Sequence, residues 1–159
     1  MRKIGLPTLA FAGFCGGLAE VLWIASYAAV GELRGFDVAR QVTVTVLPSL
    51  ANSGFAVLIG LGIHFALSIV LGLGFGLLIW RPFARNLHRG AGALVAITVL
   101  AMIWAINFVV VLPALNPGFV ALMPYPVTFL SKVLFGGAMV WTLQAISGPA
   151  ERIAAGYAG

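Results

Sequence analysis

Four long apolar runs constrain this chain more than any other feature. They cover residues 6–30, 55–80, 91–112 and 125–146, and a helix needs roughly 20 apolar residues to cross a hydrocarbon core. In lipid, every backbone N–H and C=O must be bonded within the protein, so continuous runs of this length predict helices rather than strands. We therefore expect an all-α, polytopic membrane protein that folds as one four-helix transmembrane bundle.

The composition excludes most soluble classes of protein. Of the 159 residues, 62% are apolar and only 8% are charged, and the mean hydropathy is +1.10. In soluble domains about a quarter of the residues are charged, so this chain has too few charged residues to cover a water-facing surface. The net charge of +5 is better explained by charges that orient the helices in a membrane than by nucleic-acid binding.

The basic residues flank the apolar runs unevenly. Those on the richer side are Arg2, Lys3, Arg81, Arg85, Arg89 and Arg152. The positive-inside rule therefore predicts that both termini and the loop 81–90 are cytoplasmic, and that the loops 31–54 and 113–124 lie on the outer side. We expect the membrane to be the inner membrane of a bacterium. We expect Arg81, Arg85 and Arg89 to anchor this topology. The alternative is that they bind anionic lipid or an acidic partner.

The connections on the outer side offer two further hypotheses. The alternating stretch 42–46 is typical either of a short strand or of an interfacial helix started by Asp37. In addition, residues 47–55 align with residues 112–119 when one gap is allowed. This similarity predicts a parallel repeat of two hairpins about an axis along the membrane normal, unless the two apolar segments match by chance. Proline-rich residues 113–124 predict a short, stiff loop.

Each apolar run contains one conspicuous polar residue, and these four are the candidate site: Glu20, His64, Asn107 and Lys132. With alternating helix directions, all four fall between the membrane middle and its outer face. Polar residues at that depth normally face the bundle interior. Glu20 and Lys132 are the natural ion pair, with His64 bonded to either of them and Asn107 bridging the remainder.

Two interpretations of this set remain open, besides unrelated contacts with lipid or a partner. The first is a structural clasp that fixes the helix register, with Lys132 snorkelling to the interface as a variant. The second is a titratable relay or ligand site. We prefer the clasp.

Small residues recur at helical spacing and predict close helix packing. On the second run, positions 60, 64, 68, 72 and 76 form a stripe every fourth residue. The residues that we expect to pack helix against helix are Gly13, Gly17, Gly60, Ser68, Gly72, Gly76 and Gly136. These stripes suit contacts within the chain and contacts with a partner's helix equally well.

The sequence carries no recognisable catalytic motif, and we predict no metal and no cofactor. Cys15 is the single cysteine, and His64 is the single histidine in the apolar runs. A di-haem site needs paired axial histidines, and a zinc site needs several ligands together. The composition therefore favours a role that is not enzymatic.

Two functional hypotheses from different classes follow. The first is an accessory, stabilising or assembly subunit of a larger membrane complex. The second is a small oligomeric transporter or proton-coupled carrier that uses the Glu20, His64 and Lys132 cluster. A third, binding of lipid or quinone, has no residue pattern that marks it. The expected partners are the lipid bilayer and either another membrane protein or further copies of this chain, with no nucleic acid.

Overall fold

The computed structural model describes residues 4–31, 34–83 and 89–147, without the side chains of Arg89 and Ser147. Most of these residues are helical, and none of them belongs to a strand. The helices are α1 (Leu6–Val30), α2 (Gly35–Val46), α3 (Ala56–Phe75), α4 (Arg89–Ala105), α5 (Leu112–Leu115), α6 (Pro117–Leu122) and α7 (Tyr125–Ser147). The π-helical segments Gly76–Trp80 and Ile106–Val111 prolong α3 and α4, and a 3-10 turn covers Pro48–Leu50.

Four helices of the described part are long and apolar enough to cross a membrane. They span Leu6–Val30, Ala56–Trp80, Gly90–Leu115 and Tyr125–Ile146. The four predicted runs begin and end within three residues of these helices. An apolar helix of this length satisfies its own backbone and leaves only side chains facing lipid. The chain thus has the architecture of a small multi-pass integral membrane protein.

The connection between the first and second spans and the connection between the third and fourth spans both contain helices. Residues 42–46 belong to α2, so the strand interpretation of their alternation is wrong. The loop expected at 113–124 is short but largely helical, because it holds most of α5 and all of α6. Asn116 caps α6, since its Oδ1 accepts the backbone N–H of Phe119 at 3.1 Å, and Pro117 takes the first helical position, where no N–H is needed.

The extensive contacts order the spanning helices as α3, α1, α7 and α4. Helix α1 lies between α3 and α7, α4 packs on α7, and α2 packs on α3 and touches α6. A parallel repeat would place α3 against α4 as closely as α1 lies against α7, yet the extensive contacts between described helices include no such pair. The repeat therefore stays a prediction, and the packing gives it no support.

Among the described residues, one apolar core joins all four spans near the end of the bundle where α1 begins. Its members are Leu9, Ala12, Phe75, Trp80, Ala96, Leu100, Phe135, Met139, Val140 and Leu143. Helices α3 and α4 approach each other there, because a Cβ added to Gly92 would lie 3.0 Å from Trp80 Cζ3. The extensive contacts between described helices include no pair of α3 with α4.

Glycines bring α1 into backbone contact with both of its neighbours. A Cβ added to Gly13 would lie 2.9 Å from Gly72 Cα, and one added to Gly16 would lie 2.8 Å from the ring of Phe135. Contacts this short leave no room for a methyl group. All seven residues expected to pack helix against helix are buried: Gly13, Gly17, Gly60, Ser68, Gly72, Gly76 and Gly136.

Of the arginines assigned to topology, the structure describes the side chain of one. Arg81 is half-buried, and its guanidinium donates a hydrogen bond to the carbonyl of Ile4. This bond joins the residues before α1 to the end of the segment that prolongs α3. Arg85 and the side chain of Arg89 lie outside the described residues.

Candidate functional site: a polar cluster between the first and last spans

An ion pair links the first and the last spanning helix. Lys132 Nζ lies 2.5 Å from Glu20 Oε1 and 2.7 Å from Glu20 Oε2. The hydroxyl of Ser131 also donates to Oε1, at 3.0 Å. The carboxylate thus accepts three hydrogen bonds from α7, which satisfies much of its capacity away from water. We call Glu20, His64, Ser131 and Lys132 the polar cluster.

On α1, the carboxylate lies between two contact faces of the helix. Gly17 faces α3 and Gly16 faces α7. Glu20 follows these residues by three and four positions, and such spacings share one side of a helix. Glu20 is therefore directed between α3 and α7.

On α7, the ammonium group lies between the faces that contact α1 and α4. Ser131, the preceding residue, bonds to α1. Thr128, one turn earlier, accepts a hydrogen bond from Trp104 Nε1 of α4 at 3.0 Å. Lys132 follows Ser131 by one position and Thr128 by four, so it lies between these two faces of α7.

The ionisable members of the cluster share one depth. Glu20 lies ten residues before the end of α1, Lys132 seven after the start of α7 and His64 eight after the start of α3. At 1.5 Å of rise per residue, these positions are about 15, 10 and 12 Å from the same end of the bundle. Because a hydrocarbon core is about 30 Å thick, the spans place the cluster inside the apolar layer.

The imidazole of His64 has one ring nitrogen engaged. Nε2 lies 3.1 Å from the carbonyl oxygen of Gly17, and since a carbonyl only accepts, Nε2 carries the proton. Nδ1 has no hydrogen-bond partner among the described residues. The ring is close enough to Glu20 for the two groups to interact electrostatically. His64 thus joins the cluster as a neighbour of the carboxylate, not as its hydrogen-bond partner.

Asn107, the fourth residue expected in this set, does not reach the ion pair. It is half-buried in the π-helical segment Ile106–Val111 and makes no side-chain hydrogen bond to the described residues. Pro113 follows closely and lacks the N–H that would continue the ladder, and wide turns of this kind often occur beside such interruptions. The structure therefore brings three of the four expected residues together.

Sequence reasoning missed a second polar junction, at the end of the bundle where α2 lies. Asn116 donates to Gln41 Oε1 at 2.9 Å and to Thr45 Oγ1 at 3.0 Å, which ties α2 to the start of α6. The Asn-Pro pair does signal a helix start, so the cap was predictable. The contact with a residue 75 positions earlier in the chain was not.

The chemistry available to the cluster is hydrogen bonding and charge. The side chains of Lys132 and Glu20 remain 18% and 13% exposed, so they can be reached from outside the bundle. Among the described residues, no group of three or more His, Cys, Asp or Glu side chains is placed to hold a metal ion.

Comparisons with known proteins assign no relatives. No protein-family model matches the sequence, and no curated protein or solved structure is significantly similar to it. The function is therefore argued from the geometry alone.

Proposed function

We propose that this protein is an accessory subunit that stabilises or helps to assemble a larger complex in a bacterial inner membrane. The uneven burial of its spans carries the proposal. The buried share of the most apolar stretch differs from span to span. It is 39% in Tyr125–Ile146, against 22% in Ala56–Trp80 and 17% in Gly90–Leu115. Helices α3 and α4 each pack extensively on a single spanning neighbour, so most of their apolar surface is left for lipid or for a partner's helices.

The polar cluster supports a structural role. The carboxylate of Glu20 accepts hydrogen bonds from Ser131 and Lys132 of α7, and the Glu20–Lys132 pair carries no net charge. A pair of this kind fixes how two helices lie against one another, which is the best-attested use of charges inside a protein. A rigid α1–α7 unit flanked by two exposed helices suits a subunit that supports others.

The outward face of α3 is the part of this surface best suited to a close contact. A Cβ added to Gly62 would meet nothing within 4 Å, and Leu58, Ala66 and Val70 on the same face are exposed. Small residues four apart let two helix backbones approach each other in a membrane. Gly62 and Ala66 have this spacing and take no part in packing within the chain.

Mild extraction followed by native mass spectrometry tests the proposal. We expect the tagged protein to leave its own membrane with a different membrane protein in fixed stoichiometry. The variant Gly62→Leu should lose this partner while keeping its own thermal stability, since the added side chain points away from the chain. A preparation that contains only this chain, with every other membrane protein unchanged after gene deletion, contradicts the proposal.

A proton-coupled carrier is the second candidate, because three ionisable groups of different helices lie at one depth. For this function we expect homo-oligomers, and we expect Glu20→Gln to abolish proton-driven flux in vesicles although the variant still folds. The matched control is Ser131→Ala, which keeps the ionisable groups and should retain flux. Flux that is unchanged in Glu20→Gln would remove this candidate.

A further inference from the structure

Asn107 carries a side-chain amide that has no hydrogen-bond partner among the described residues. The amide has two N–H donors and a carbonyl oxygen that accepts. Asn107 lies eight residues before Leu115, where its span ends, and this distance is about 12 Å at 1.5 Å of rise per residue. The amide is thus inside the apolar layer, where a polar group without a partner is costly.

The side of the helix on which Asn107 lies is accessible from outside the chain. Ile103 and Val111, four positions before and after it, share this side, and each of them is 37% exposed. Asn107 itself is half-buried. Its span, Gly90–Leu115, has the smallest buried share of the four described spans, at 17%. A helix of another molecule can therefore lie against this side and reach the amide.

The lipid bilayer cannot supply the missing partner of Asn107. Head groups lie at the edge of the apolar layer, and the short side chain of asparagine cannot extend to them as lysine and arginine do. Acyl chains carry no hydrogen-bonding groups. An ionised partner would stay uncompensated beside a neutral amide, which is costly at this depth. The group that satisfies Asn107 is therefore an uncharged polar side chain of another helix at the same depth.

A second copy of this chain meets these conditions by symmetry. Two copies insert in the same direction, because the same flanking charges orient both of them. A two-fold axis along the membrane normal then places each residue opposite its own counterpart, at equal depth. The amide is self-complementary, since each copy can donate one N–H and accept one through its carbonyl oxygen.

We propose that the protein forms a two-fold homodimer in which the Asn107 side chains of the two copies hydrogen-bond to each other. Ile103 and Val111 provide apolar contacts on either side of this pair. The inference goes beyond the proposed function, because the partner subunit is assigned to the outward face of α3 around Gly62, whereas the dimer uses the span that contains α4. The two interfaces lie on different helices, so one can be disproved while the other stands.

Disulfide cross-linking between copies tests the geometry of the dimer. Cys15 is the single cysteine, so Cys15→Ala gives a cysteine-free background for the full-length protein in liposomes of phosphatidylethanolamine and phosphatidylglycerol. Val111→Cys places a thiol on the side of Asn107. Val109→Cys is the matched control, because Val109 is 60% exposed but lies two residues after Asn107, on the opposite side of the helix. With copper phenanthroline as the oxidant, we expect a disulfide-linked dimer from Val111→Cys and a monomer from Val109→Cys.

Substitutions of Asn107 test the hydrogen bonds themselves. The cross-linked fraction of Val111→Cys after brief oxidation, over a series of lipid dilutions, gives the dissociation constant of the dimer. Asn107→Leu keeps a similar side-chain size, and we expect it to raise this constant about tenfold, in line with the loss of two hydrogen bonds between helices. Asn107→Gln keeps the amide and should retain most of the affinity. Thr98→Val should leave the constant unchanged, because the exposed Thr98 hydroxyl already donates to the carbonyl of Leu94 at 2.9 Å.

The proposal is overturned if Val111→Cys and Val109→Cys cross-link equally, or if neither of them does. It is also overturned if Asn107→Leu dimerises as tightly as the chain with Asn107. A chain that is monomeric in liposomes, yet leaves its own membrane with a different protein in fixed stoichiometry, would disprove the dimer and support the proposed function.

Discussion

Glu20→Gln is expected to lower the free energy of unfolding by about 3 kcal/mol, because it leaves Lys132 charged and unpaired inside the apolar layer. The amide still accepts a hydrogen bond from Ser131, so the loss reports on the charge and not on the size of the side chain. Reversible unfolding by SDS titration in mixed micelles measures the difference. A change below 1 kcal/mol would contradict a buried pair that holds α1 to α7.

The double variant Glu20→Gln with Lys132→Met is the control for this prediction. Removing both charges removes the unpaired group, and a well-packed apolar replacement of an ion pair is often neutral or stabilising. We therefore expect the double variant to recover most of the stability that Glu20→Gln alone loses. Losses that simply add would show that the two side chains are not coupled, and the clasp interpretation would be wrong.

The spans were predictable because the bilayer imposes the same condition on every residue that crosses it. A run of apolar residues in lipid has one means of satisfying its backbone, and this fixed the helices to within three residues. The connections obey no such condition. Residues 42–46 alternate like a strand but form the last turns of α2, which packs on α3 through Ala39 and Thr43. Tertiary packing decided their structure.

The site was predictable in part, for a related reason. Opposite charges at matching depth have few ways to be satisfied in a membrane, so Glu20 and Lys132 were natural partners. Their neighbours were not predictable. Asn107 lies at a suitable depth, but the π-helical segment shifts the residues after Ala105 around the helix axis. The lack of an extensive contact between α3 and α4 in the described part of the chain also runs against the general tendency of consecutive elements to lie side by side.

The predicted small-residue stripes could not reveal which helix each one contacts. The same spacing serves packing within a chain and between chains. In the structure, Gly13 and Gly72 are in backbone contact within the chain, whereas Gly62 and Gly74 on the same α3 helix have no neighbour within 4 Å of an added Cβ. This difference provides a matched pair of variants.

Gly72→Ala is expected to destabilise the protein, and Gly74→Ala is not. The added methyl group at position 72 would lie 2.6 Å from the backbone nitrogen of Gly13 and 2.7 Å from the carbonyl oxygen of Leu9. Backbone atoms cannot rotate away as side chains do, so α1 and α3 must separate. Overpacking of this kind costs about 1–3 kcal/mol, and it should also move His64 away from its hydrogen bond to Gly17.

Gly74→Ala is the matched control, because it makes the same substitution at a position where the added methyl group meets no neighbouring atom. At position 74 alanine meets no atom within 4 Å, and its higher helix propensity is worth up to about 1 kcal/mol. SDS titration should therefore show that Gly72→Ala is less stable than the unmodified protein. Gly74→Ala should be as stable as the unmodified protein or more stable. The His64 ¹⁵N signal should shift in Gly72→Ala alone. Equal stability of the two variants would mean that α1 and α3 are not in backbone contact, and the position of Glu20 between α3 and α7 would then be lost.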